Sequence, residues 1–436
     1  MTRLPSCVRR CQPSVLLPGL LQAQPVSSYA WNQELTKLCQ QRHFIMEDDS
    51  GYGPLGTELK NNLAELWWRS VVSLREQVFG ISTLHQQRPT AAATSTPIGL
   101  IDKNALHTSL HDSQLNKKEM AKSIESLLHN QIGLRTSLLQ GALEHYVPSL
   151  ALLNRKLPFG LAEMGTCYRP IHAEEPNGKV KTGESFMASL VWFSSPQTSA
   201  QWLEYWLRHR MLWWRKFAVS PSDFSSSELQ NADGNREVRI QYNFSGGTET
   251  LETLCSLGDE VLVSRCVGSK AKLQCREGRK SVIPHVLSIS SCLDTGVRTY
   301  LHNSFQEMGS VHTKRRLLQR KVLKLHPSLT PVKVALDMGR GPSNELRQVC
   351  EGLLQELLEQ AISVWPGYLE TASISMEQQL IRYDEMGVLF TILVNDVTLE
   401  NGIAQLRNRD TSIREMMHIS EISSFLTKYI TAARRM

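Results

Sequence analysis

Three runs of this chain gather side chains that could hold phosphate. The first, Trp202-Leu203-Glu204-Tyr205-Trp206-Leu207-Arg208-His209-Arg210-Met211-Leu212-Trp213-Trp214-Arg215-Lys216-Phe217, interleaves aromatic and basic residues. On a helix, Trp202, Trp206 and Trp213 fall near one face, while Arg208, Arg215 and Lys216 can point elsewhere; Arg210 lies in the same run. Aromatic and basic groups together can hold nucleic acid by stacking and charge. The run also reads as a core helix with a solvated outer side. Lys270, Lys272, Arg276, Arg279 and Lys280 form a second group, in a loop marked by Gly268 and Gly278. Lys314, Arg315, Arg316, Arg320, Lys321 and Lys324 form a third. Such clusters release counterions when they meet phosphates, although a charge run is also what an ordinary solvated face presents.

Other chemistry is scarce. The sequence has no G-x-x-x-x-G-K-[ST] phosphate loop, no G-x-S-x-G nucleophile elbow and no H-E-x-x-H zinc helix. His107 and His111 could share a helix face, but no further ligand accompanies them. The nine cysteines stand singly with no C-x-x-C, so reduced and mostly buried thiols are expected. No metal and no cofactor is expected.

The elements that position these groups follow from apolar periodicity. After Gly51-Tyr52-Gly53-Pro54-Leu55-Gly56, a turn, Leu59, Leu63, Leu66, Trp67 and Val71 mark one helix face. Residues 81–97 read as an exposed linker. Residues 100–156 read as helical, with one helix opening at Lys117-Lys118-Glu119 and a second running from Leu134 towards Leu153, kinked by Pro148. Such helices carry one apolar stripe and must bury it, on their own domain or on a second copy. Between 157 and 310, Ala188 to Phe193 and Val282 to Ile289 look like strands with a helix between them, which suggests a mostly antiparallel α+β domain. From about 329 the order βαβαββα, closing with one or two helices over Ser412 to Ala433, predicts a compact mixed-sheet domain. Gly402, in a Glu-Asn-Gly turn, reads as a position needing positive φ.

The 436 residues are 41% hydrophobic and 21% charged, as in a globular protein of two or three domains. No apolar run approaches the roughly 20 residues of a membrane span. The net charge is +6, but Arg3, Arg9 and Arg10 supply part of it in a stretch with no acid before Glu34. A nucleic-acid surface must therefore come from clustering. Residues 1–30, with Arg, Ser, Pro and Leu and no acids, have the composition of a mitochondrial transit peptide; an ordinary tail is the alternative.

Four ordered segments resemble the glycyl-type class II aminoacyl-tRNA synthetases. Gly51 to Asn62, followed by Trp67-Trp68, resembles their motif 1, and Leu157 to Arg169 their motif 2. Val282-Ile283-Pro284-His285-Val286 with Leu293-Asp294-Thr295-Gly296 is similar to motif 3, and 325–411 to their anticodon-binding domain. The resemblance implies an α+β class II synthetase-like core with an antiparallel sheet (31–80 and 157–312), a linker and helical dimerisation insert (81–156), and a C-terminal α/β anticodon-binding-like domain with a mixed sheet (325–436).

The departures bear on function. Where the enzymes read Arg-x-Glu in motif 2, this chain has Arg169 and Ile171; where motif 3 has a γ-phosphate arginine, it has Thr295. Threonine cannot replace the bidentate, charge-assisted contact of arginine. The segment Phe244-Ser245-Gly246-Gly247-Thr248-Glu249 also lacks the tryptophan of the glycine pocket. ATP activation therefore looks lost. Trp206 to Ala218, Gly141 to Tyr146, Lys321 to Pro327 and Ser363 to Thr371 further resemble the accessory subunits of the mitochondrial DNA polymerase. That resemblance implies a non-catalytic homodimer of the mitochondrial matrix nucleoid. It would bind the catalytic polymerase subunit, mainly through its C-terminal domain. It would bind double-stranded DNA without sequence preference and raise primer-template affinity and processivity. The alternatives are an active glycyl-type synthetase and a tRNA- or RNA-binding protein.

Overall fold

Leu190-Val191-Trp192-Phe193 sends apolar side chains alternately to two faces, so a strand built from it must be covered on both. The computed structural model describes residues 33–47, 51–87, 98–111, 116–129, 132–171, 181–230, 235–265, 270–277, 280–313, 316–370 and 375–435. In it this strand sits inside a seven-stranded sheet. The strands are β1 (Val78–Gly80), β2 (Phe159–Ile171), β3 (Lys181–Ser194), β4 (Phe224–Gln230), β5 (Arg236–Phe244), β6 (Gly247–Gly258) and β7 (His285–Cys292), ordered β1-β2-β3-β7-β6-β5-β4. Only β1 against β2 is parallel; the other pairings are antiparallel. Leu190 and Trp192 enter a large core closed by helices α1 (Pro54–Trp68), α2 (Ser199–Lys216) and α3 (Leu293–Ser304). Val191 and Phe193 enter a second core beneath the sheet, with Tyr146, Leu150, Leu273 and Cys275.

Helix α1 starts at a proline, whose missing N–H would be unpaired there anyway. The turn before it also has G-x-G-x-x-G spacing, but no parallel strand leads into it. Its glycines serve close packing instead: a Cβ at Gly53 or Gly56 would lie 2.3 or 1.8 Å from the carbonyl oxygens of His43 and Phe44. After α1 the helix widens to a π turn over Arg69–Ser73.

The C-terminal unit comprises β8 (Val334–Met338), α4 (Ser343–Glu359), β9 (Val364–Trp365), α5 (Met376–Glu385), β10 (Phe390–Val394), α6 (Asp396–Asn401), β11 (Ile403–Asn408), β12 (Arg414–His418) and α7 (Ile419–Arg435). Its sheet order is β9-β8-β10-β11-β12, with parallel pairs around β8 and antiparallel pairs after β10. The mixed sheet is as expected. The strand β12 is not, because 412–433 read as helical. Ser412, at φ 59°, turns the chain back onto β11. A solvent-facing edge strand of Arg414, Glu415 and two methionines shows no apolar alternation to read. Gly402 does adopt positive φ, 74°, and caps α6.

Three other expectations need correction. The insert is not wholly helical: Ile132–Leu134 is a strand between Gln86–Gln87 and Gly99–Leu100. The long second helix is two short ones, Leu139–Glu144 and Tyr146–Leu152, with Pro148 in a first turn, where it breaks nothing. Arg135, 2% exposed, anchors the intervening chain to Glu163 of β2 at 2.9 Å. The strand expected over 282–289 divides at Pro284 into a hairpin strand, Lys280–Val282, and β7. The leader, residues 1–30, lies outside the described residues.

Candidate nucleic-acid interface and synthetase-like pocket

Helix α2 buries about every third or fourth residue and leaves the rest half-buried or exposed. Leu203, Trp206, Arg210, Trp213 and Trp214 are buried. Arg210 is fully buried: its Nε donates to both carboxylate oxygens of Glu252, at 2.9 and 3.1 Å, and its guanidinium lies 4.3 Å from the Trp213 ring centre. It belongs to the core, and its assignment to a DNA surface is corrected. A buried charge with a carboxylate partner cannot turn outwards without leaving that partner unpaired. Arg208 and Arg215 are exposed, though Arg215 donates to the Phe224 carbonyl at 2.6 Å. Lys216 is half-buried and donates to the Arg434 carbonyl at 2.9 Å; burial, then Arg69, lowers its pKa.

In the second cluster, Lys270, Lys272, Arg276 and Lys280 are all exposed, around a hairpin of Cys275–Glu277 and Lys280–Val282. Arg279 lies outside the described residues. In the third, Lys314 and Arg315 also lie outside them, and Arg316 opens the strand Arg316–Leu323. Arg320 and Lys321 are spent on ion pairs with Asp384 and Glu34.

Two acids, Asp294 and Glu249, lie at the synthetase-like motif positions, with Lys60 and Arg298 near them. Asp294, in the first turn of α3, accepts from the Tyr52 hydroxyl at 2.9 Å and from the Phe186 amide at 2.5 Å. Thr295 is buried, its hydroxyl 3.5 Å from Glu249. Burial raises the Glu249 pKa against the pull of Arg298 and Thr295. Lys60 sits 4.8 Å from the Tyr52 ring centre and 5.4 Å from that of Phe186, occupied by aromatic faces. Arg169 is half-buried on β2, and Ile171 ends that strand opposite Lys181. The His107 and His111 ring centres lie 4.2 Å apart, the rings tilted by 47°; among the described residues no group of three or more His, Cys, Asp or Glu is placed to hold a metal.

Comparison with known proteins agrees with this geometry. The family model "Anticodon binding domain" matches residues 333–429. DNA polymerase subunit gamma-2 of Bos taurus is 49% identical over 94% of this chain and 88% of its own length. That of Mus musculus is 48% identical, over 92% and 91%. The chain belongs to the DNA polymerase subunit gamma-2 family. Glycine--tRNA ligase of Streptomyces coelicolor is 27% identical over 86% of this chain and 91% of its own. The chain thus has a class II synthetase-like fold with an anticodon-binding domain at its C-terminus.

Two features of the chain escaped sequence reading. Arg155 and Lys156 join the second basic cluster: Lys156 bridges to Arg276, and the Arg276 amide donates to the Arg155 carbonyl at 2.9 Å. The only sequence signal is the polar break Asn154-Arg155-Lys156 between leucines. The second is the seam between core and C-terminal unit. There Asn62 donates to the carbonyls of Leu329 and Thr330, and Lys333, 7% exposed, donates to Thr330. Burial, then Arg434, lowers the Lys333 pKa to about 7, with Arg409 adding to this and Glu65 and Glu58 opposing it. Because the folded value lies below the unfolded one, the unfolded chain binds more protons between about pH 7 and pH 10.5. Stability from this group therefore rises with pH across that window. Lys333→Met is expected to raise the melting temperature at pH 7 and to flatten its dependence above that, as followed by calorimetry.

Proposed function

We propose that this chain is the non-catalytic accessory subunit of a mitochondrial DNA polymerase: a homodimer that binds the catalytic subunit and duplex DNA and raises primer-template affinity and processivity. The observation that carries the reading is a chain nearly half identical to gamma-2 subunits over nine-tenths of its length, in which Thr295, at the place of the motif 3 arginine, is buried beside Glu249. A threonine paired with a carboxylate offers a triphosphate none of the bidentate charge that an arginine would supply at that place. A relative from Xenopus laevis carries "mitochondrial" in its name. With the leader-like residues 1–30, this supports the matrix nucleoid as location. No described helix is long and apolar enough to cross a membrane. The organisation proposed is a leader (1–30), a synthetase-like core (31–80 and 157–312), a linker and dimerisation insert (81–156), and a polymerase-docking domain (325–436).

The insert supports dimerisation. Helices Lys103–His111 and Lys117–His129 pack together, with Ser109 and Ser123 hydroxyls 2.9 Å apart, yet neither has a buried residue. Leu110 and Leu128 are 45% and 47% exposed. A second copy of the pair would cover these stripes. Leu127→Asp with Leu128→Asp is expected to convert dimer to monomer in sedimentation while the monomer stays folded. A dimer surviving at micromolar concentration would place the two-fold interface elsewhere.

The deciding experiment is primer extension on a long template by the catalytic subunit, with and without this chain. Longer tracts per binding event support the proposal; unchanged tracts, or ATP–pyrophosphate exchange by this chain alone, overturn it. The matched anticodon-binding domain favours tRNA or RNA binding as the second reading. Competition between tRNA and duplex DNA separates the two.

A further inference from the structure

We infer that Arg155, Lys156, Lys270, Lys272, Arg276 and Lys280 form one phosphate-binding ridge for duplex DNA, with Arg155 as its positioning residue. This rests on the duplex-binding reading above. Two segments more than a hundred residues apart build the ridge. Lys156 bridges to Arg276, and the Arg155 side chain donates from Nη1 to the carbonyls of Ala271 and Gln274, each at 3.1 Å. It thereby pins the turn that carries Lys270 and Lys272 to the chain that carries Lys156. Asn154 and Arg155 take φ of 53° and 59°, consecutive left-handed positions without a glycine. Such a conformation persists only where its surroundings hold it. Beneath, Leu273 and Cys275 are buried, and the Tyr146 hydroxyl donates to the Leu273 carbonyl at 2.7 Å. The backbone of the ridge is thus fastened to the core while its charged groups stand in water.

The contrast with the other basic runs selects this surface. Arg210, Arg320 and Lys321 are held by carboxylates, and Arg215 and Lys216 by backbone carbonyls. Among the residues whose side chains the structure describes, none is a carboxylate paired with any of the six ridge residues. The charges of Lys156, Lys270, Lys272, Arg276 and Lys280 remain available for displacing counterions from a phosphate backbone, while Arg155, held like Arg215 by backbone carbonyls, positions them. They make no base-reading element, which suits binding without sequence preference.

The test measures duplex affinity of the full-length protein by fluorescence anisotropy over a range of salt. The double variant Lys156→Ala with Arg276→Ala is expected to flatten the log K against log salt slope by about 1.8, at 0.9 per lost contact. Sedimentation and melting should match the parent. Arg155→Ala is expected to speed amide hydrogen exchange over 270–277 and to weaken binding more than Arg208→Ala does. An unchanged slope in the double variant, with parent-like binding, overturns the ridge and leaves the duplex reading standing. Loss of catalytic-subunit binding at an unchanged slope overturns it too, and makes this surface a protein interface. A parent protein with no salt-dependent duplex binding overturns the duplex reading itself. Unaltered exchange in Arg155→Ala removes the positioning role.

Discussion

Arg210→Ala is expected to lower the unfolding free energy by about 3–5 kcal/mol, the usual cost of leaving one member of a buried ion pair alone. Both side chains of the pair are fully buried, and Glu252 also accepts from the Trp214 indole at 2.5 Å. Without Arg210 that carboxylate keeps one neutral donor and loses its counter-charge. The Nη atoms of Arg210 have no hydrogen-bond partner, so much of their compensation comes from the ring faces of Trp213 and Trp67. Removing the side chain therefore also opens space between two tryptophans. At about 2–4 °C per kcal/mol for domains of 150–250 residues, the melting temperature should fall by on the order of 10 °C. Where the variant is still folded, its duplex salt slope should equal the parent's. A parent-like melt together with a slope reduced by about 0.9 would restore Arg210 to the DNA surface.

That case also marks where sequence reading stops. The run Leu190-Val191-Trp192-Phe193 was legible as a strand because, buried on both faces, it is continuously apolar. Helix α2 was legible as an element, but not the direction of its arginines. Arg208 and Arg210 are two apart, and which of them faces in depends on Glu252, 42 residues away. The strand β12 was missed for the opposite reason, since its exposed edge leaves no pattern. Thr295 was singled out through motif resemblance. That Asp294 meets Tyr52 while Glu249 meets the neighbouring Thr295 needs the positions of α3 and β6 together. The loop Asn154-Arg155-Lys156 was invisible because two non-glycine residues in left-handed conformation contradict local preference and are held by contacts with residues 271–276.

The seam between the two units gives the second large effect. Asp384, on α5, is 1% exposed and serves two arginines. Its Oδ2 accepts from Arg320 Nε at 2.7 Å and from Arg407 Nη2 at 2.9 Å, and its Oδ1 accepts from Arg407 Nη1 at 2.9 Å. Arg320 belongs to the strand Arg316–Leu323, which lies outside the C-terminal sheet, whereas Arg407 lies on β11 within it. The carboxylate thus ties an arm of the preceding unit to the C-terminal unit. Asp384→Ala leaves two guanidinium groups facing each other at a mostly buried site, so a loss of about 3–5 kcal/mol is expected. Asp384→Asn keeps acceptor geometry at one oxygen and should fall between parent and alanine. The loss should be local first, with faster hydrogen exchange in α5, β11 and the 316–323 strand and slower change in the seven-stranded sheet. If the C-terminal unit docks the catalytic polymerase subunit, holoenzyme assembly should weaken in step with this loosening, while the dimer mass stays constant. Exchange and melting that both match the parent would mean that the two arginines find other acceptors, and that the seam is held by α1 and the Leu329–Thr330 carbonyls instead.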